Sequence, residues 1–191
     1  MGAKYIVQNA HYDYNTPDMI VVSPTVFTSA KYDSEEGLSF KVLTSQYDNF
    51  RDELENDLMP AIESRYSIKT GRDNTAIAGY SLGVRESSYI GFKDPDKFGY
   101  IGAFSATNGI FKDEVWADAA LKGYAYTNLK NNYKLLLYQV GTEDPYIDGV
   151  REFKQLFDKY NVQYMYYEMP GDHEAAVWQH GLYIFARRIF R

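Results

Sequence analysis

The chain has 191 residues, 45% hydrophobic and 24% charged, with a formal net charge of −6 and no cysteine. That size and balance fit one soluble globular core, so a single domain over residues 1–191 is expected. The acidic balance excludes a basic nucleic-acid footprint, the lack of cysteine excludes disulfides and thiolate chemistry, and no apolar run reaches the ~20 residues that span a membrane.

Along the chain, Lys4–Asn9 (KYIVQN) has a Tyr-Ile-Val centre that suits an edge strand. Met19–Ser23 is the first of five apolar runs that read as buried parallel strands. Thr28–Leu43 reads as a long surface loop. Asp48–Tyr66 carries Phe50, Leu54, Leu58, Ile62 and Tyr66 on one helical stripe, with a kink or break expected near Met59 because Pro60 lacks an N–H. The next strands are Thr75–Tyr80 and Tyr100–Phe104. A second excursion, Phe111–Asn132, precedes the strand Lys134–Val140. Helix Asp148–Tyr160, strand Val162–Glu168 and helix Glu174–Arg188 complete the order, and the basic end of the last helix suits a C-terminus. Strands alternating with helices predict a doubly wound, mostly parallel sheet in three α/β/α layers. Its active site is expected beyond the C-terminal ends of the strands.

Gly79-Tyr80-Ser81-Leu82-Gly83 fits G-x-S-x-G, and the strand before it and helix after it matter more than the letters. Such a turn strains the serine backbone and lifts its hydroxyl above the sheet. Close backbone approach is expected to require glycine at both Gly79 and Gly83. The N–H of Leu82, at a helix N-terminus, is the first expected oxyanion donor. Of three histidines, His11 lies in a polar stretch and His180 inside the last helix. His173 sits in a Pro-Gly loop after the last strand and is the expected base. Asp144, after the strand ending in Val140, is the favoured acid, with Glu143 and Asp148 as rivals. Ser81, Asp144 and His173 follow the nucleophile–acid–base order of an α/β-hydrolase. Nineteen tyrosines either fill half-buried faces or line an aromatic- or sugar-binding surface.

With these residues in place, the chain resembles the putative-esterase group of α/β-hydrolases, the carbohydrate esterase family 1 type. The similar stretches are IVVSPT, LMPAIESRYSI, AIAGYSLGVRESSYIGFKDPDKFGYIGAFSA, VGTEDP and MPGDHEAAVWQHGLYIF. The resemblance implies a serine esterase that works through an acyl-serine on acyl, acetyl-xylan or feruloyl esters of plant polysaccharide. It also implies a helix over Lys4–Asn9. The sequence carries no metal cluster and no nucleotide loop, so no cofactor is expected. Val84 stands where the family has a second glycine. Further strands that the family carries upstream, with a His-Gly loop giving the second oxyanion N–H, have no counterpart, so either an N-terminally shortened form or a missing part supplied from elsewhere is expected. Thr25 or Val26 would then substitute as donor. Met19–Ser23 would either pair with Thr75–Tyr80 or leave an edge open to a homodimer. A catalytically impaired binding or structural role, and acyl transfer with the same triad, are the competing functions. No signal-peptide pattern opens the chain, and secretion and a cytoplasmic location both stay open.

Overall fold

The computed structural model describes residues 2–106 and 133–191. The expected excursion over residues 111–132 lies outside them. The helices are α1 (Ala3–Tyr14), α2 (Phe40–Asp48), α3 (Phe50–Glu53), α4 (Met59–Arg65), α5 (Leu82–Lys93), α6 (Ile147–Lys159) and α7 (Ala175–Ala186). The strands are β1 (Ala76–Ser81), β2 (Tyr100–Ala106), β3 (Leu135–Gly141) and β4 (Met165–Met169). All are parallel and lie in the order β1-β2-β3-β4.

Two compact units emerge, Met1–Val21 with Gly71–Arg191, and Val22–Thr70. In the larger unit the sheet is covered on both faces. Alternate residues Ile101 and Ala103 of β2, with Leu136, Tyr138 and Val140 of β3, pack against α5 and α6. The intervening Tyr100, Phe104 and Leu137 pack with Phe185 of α7 and with Ile189 beyond it. This double burial is why the strands read as continuous apolar runs rather than alternating ones. Outside α7 lies α1, joined by the Tyr183 hydroxyl donating to Asp13 at 2.7 Å and by Arg187 over the Tyr14 ring at 4.0 Å. Lys4–Asn9 is therefore helical, as the resemblance implies, and not an edge strand.

Met19–Ser23 is the clearest departure. It forms no strand, and Ile20, Val21 and Val22 are each more than 40% exposed. Only Met19 packs against the sheet's second cluster. A strand exists by pairing, and β-branched composition cannot supply a partner. Among the described residues β1 pairs only with β2. The last strand also starts later than expected. Asn161 takes a positive φ of 53° and the Val162 N–H returns to the Phe157 carbonyl at 2.9 Å, which uses Val162 in the turn after α6.

In the smaller unit, Ser39 caps α2 by accepting from the Val42 N–H. The predicted helix runs without a break from α3 through a π-helical turn, Leu54–Leu58, into α4. Near Met59, where a kink or break is expected, the helix carries that wider turn and no break. Pro60 cannot donate to the carbonyl four residues back, and the Met59 N–H instead bonds the Leu54 carbonyl five residues back.

Candidate active site

Strand β1 carries the chain to Ser81, whose φ of 52° and ψ of −122° lie far from strand or helix values, and α5 starts at the next residue. The parallel register also slips here, so that Ser81 stands opposite Ala106. A β-carbon on Gly79 would overlap the carbonyl of Gly83, so only glycine fits at position 79. Gly83 has a different role from the one expected. A β-carbon there would meet open space, and it is the Gly83 backbone, not its missing side chain, that crowds Gly79. Leu82 is the first residue of α5, so its N–H has no partner within the helix and lies beside Ser81.

The expected base and acid arrive from the other side of the sheet. His173 follows β4, and its Nε2 lies 2.9 Å from Ser81 Oγ. Its Nδ1 lies 2.9 Å from Asp144 Oδ2. A carboxylate only accepts, so the proton sits on Nδ1 and the free lone pair of Nε2 faces the serine hydroxyl. Asp144 is almost wholly buried, and its other oxygen accepts from the Tyr146 N–H at 2.9 Å. The rivals are engaged elsewhere. Glu143 is exposed and accepts from the Gly171 N–H, which holds its carboxyl below the usual carboxylate range. Asp148 is exposed and lies 3.7 Å from Arg151. The other two histidines also have their own partners, His11 at the Thr16 carbonyl and His180 at the Tyr167 hydroxyl. Burial lowers the pKa of His180.

Aromatic rings enclose the imidazole. Tyr146 meets it edge to face at 4.9 Å and Trp178 at 5.1 Å. Trp178 also stacks on Tyr80 at 4.6 Å, and Tyr80 is 40% exposed beside Ser81. Trp178 lies in the stretch MPGDHEAAVWQHGLYIF that carries the resemblance, but no spacing in the sequence shows that these rings meet at His173. Thr25 and Val26 belong to the Val22–Thr70 unit, in a stretch without regular secondary structure. Among the described residues no group of His, Asp and Glu could hold a metal ion.

A hydroxyl, an imidazole and a buried carboxylate in this sequence of hydrogen bonds can move a proton off the serine as it attacks a carbonyl carbon. Comparison with known proteins supports carboxylic ester hydrolysis. The sequence profile of the family described as Putative esterase matches residues 2–188. A CE1 ferulic acid esterase of the anaerobic fungus Anaeromyces mucronatus, in the absence of substrate, is 29% identical, with a TM-score of 0.79 over 95% of this chain and 68% of its own. In complex with ferulic acid, a CE1 ferulic acid esterase of that fungus is 28% identical at TM-score 0.78, over 95% and 69%. The S-formylglutathione hydrolase of Staphylococcus aureus, at 17% identity and TM-score 0.57 over 77% and 59%, shares the fold. The parallel sheet flanked by helices is thus of the α/β-hydrolase type.

Proposed function

The chain belongs to the Putative esterase family, and we propose from that premise that it hydrolyses carboxylic esters through an acyl intermediate on Ser81. The observation that carries the reading is the unbroken hydrogen-bonded chain from Ser81 through His173 to Asp144. In the first half-reaction Ser81 Oγ attacks the acyl carbon while His173 Nε2 takes its proton. The proton then passes to the departing alkoxide oxygen, which leaves as the alcohol. Asp144 stays ionised, keeps the proton on Nδ1 and stabilises the imidazolium. Water attacks the acyl-serine in the second half, with His173 again the base, and the acid product leaves. The Leu82 N–H, at the positive end of α5, stabilises the oxyanion.

For the acyl group we propose a hydroxycinnamoyl unit esterified to polysaccharide. Two features support it, the similarity to ferulic acid esterases and the exposed Tyr80 ring stacked on Trp178 beside the nucleophile. The test is hydrolysis of p-nitrophenyl acetate and methyl ferulate by the full chain and by Ser81→Ala. Turnover of both esters, lost in the variant, is the expected result. Undiminished turnover in Ser81→Ala would remove the mechanism, and cleavage of the acetate alone would remove the substrate class.

A further inference from the structure

Asp144 and His173 lie on two loops that approach each other closely. The first loop leaves β3 at Gly141, and the second leaves β4 at Met169. Three hydrogen bonds tie them. The Thr142 N–H donates to the Met169 carbonyl at 2.8 Å, and the Glu143 N–H donates to the Gly171 carbonyl at 3.0 Å. In return the Gly171 N–H donates to Glu143 Oε2 at 2.5 Å. Residue 143 thus grips residue 171 through both its backbone and its side chain. A β-carbon on Gly141 would overlap the Gly171 carbonyl, so the loops meet at backbone contact distance. Gly171 itself has a φ of 133°, a conformation open to few residues but glycine.

We infer that Glu143 is a positioning residue, whose carboxylate clamps the loop carrying His173 onto the loop carrying Asp144. This rests on the reading of Ser81, His173 and Asp144 as the ester-hydrolysing set. The physical argument is one of tolerance. Asp144 immediately follows Glu143, and His173 lies two residues beyond Gly171, so the clamp acts within two residues of each end of the Asp144–His173 bond. That bond spans 29 residues of sequence. Each loop is a short link between a strand and a helix, and the bonds between residues 143 and 171 join one link to the other. A carboxylate accepting a backbone N–H makes a charge-assisted bond, stronger than a neutral one. The lowered pKa of Glu143 fits this, because the Gly171 N–H favours the ionised form. The clamp is consequently complete at neutral pH. The same bond explains why Glu143, adjacent to the acid, does not compete for the imidazole.

The test compares Glu143→Ala and Glu143→Gln with the wild-type chain. The amide oxygen of glutamine still accepts the Gly171 N–H, whereas alanine removes the acceptor. Glu143→Ala is expected to lower kcat on p-nitrophenyl acetate by on the order of tenfold or more, since a misplacement of about 1 Å costs roughly a hundredfold. KM should stay within about twofold, because Glu143 does not touch substrate in this reading. Glu143→Gln should recover most of the loss. A second readout needs no turnover. Proton NMR with 15N-labelled histidine follows the His173 Nδ1 proton, which should exchange faster with water in Glu143→Ala and regain protection in Glu143→Gln. An unchanged exchange rate and unchanged kcat in Glu143→Ala would overturn the inference. A wild-type chain that cleaves no ester would instead count against the proposed function, and the NMR comparison would still decide the clamp.

Discussion

The two halves of the site are held in different ways. Ser81 is placed by its immediate neighbours. One strand, one strained residue and one helix meet within Gly79–Gly83, and the crowding that shapes the turn is between two residues four apart. Asp144 and His173 are placed by loops that meet only in the folded chain. The Ser81 turn has a strand directly before it and a helix directly after it. The paired loops also run from a strand into a helix, but over several residues each, and they are tied to each other as well. Precision at an active site can therefore come either from local strain or from cross-bracing, and this molecule uses one on each side of a single hydrogen bond.

The largest expected effect treats the two halves as one unit. Ser81→Ala and His173→Ala should each lower kcat on p-nitrophenyl acetate by roughly a millionfold if the triad behaves as hydrolase triads do. The double variant should be hardly worse than either. Additive losses in the three rate measurements would mean that the halves do not share a step.

Breaking each half at its tightest glycine sharpens the contrast. Gly79→Ala forces a β-carbon into the Gly83 carbonyl. It should cost about 1–3 kcal/mol of stability as an overpacking change, and over a hundredfold in kcat through misplacement of Ser81. Thermal unfolding and kinetics together check both. Gly141→Ala pushes instead on the Gly171 carbonyl. Its loops can yield, so kcat should fall about tenfold to a hundredfold with a smaller change in Tm. Equal losses of stability in the two variants would show that the loops are as rigid as the turn.

The smallest effect concerns the strand that delivers the His173 loop. In β4, Glu168 receives two bonds of 2.8 Å from Arg151 and one of 2.7 Å from the Tyr166 hydroxyl. Arg151 is the main cause that lowers its pKa from 4.5 to about 2. A carboxylate with a depressed folded-state pKa contributes stability that is present above its unfolded value and lost as pH falls through the folded one. Wild-type stability should thus decline between about pH 4.5 and about pH 2, and Glu168→Gln should flatten that part of the curve in acid titration followed by circular dichroism. The same slope in both proteins would exclude Glu168 as its source.

Much of this was legible in the sequence wherever the information was local. The strand–serine–helix turn followed from glycine spacing and an apolar run, and His173 from a Pro-Gly loop before the last helix. Strand and helix order came from hydrophobic period, which burial on two faces of one sheet imposes directly. Tertiary structure alone decided the rest. Glu143 and Asp144 are adjacent and chemically alike, and only the position of the second loop makes one a clamp and the other the partner of His173. Arg85, Glu86, Ser87 and Ser88 are polar or charged by type, yet all are buried. Ser88 and the Tyr138 hydroxyl are 2.6 Å apart there, and Ser87 donates to the Gly102 carbonyl. Met19–Ser23 has a strand's composition and no strand. Residue type sets what a side chain or backbone is able to bond, and only the folded chain determines which partner lies within reach.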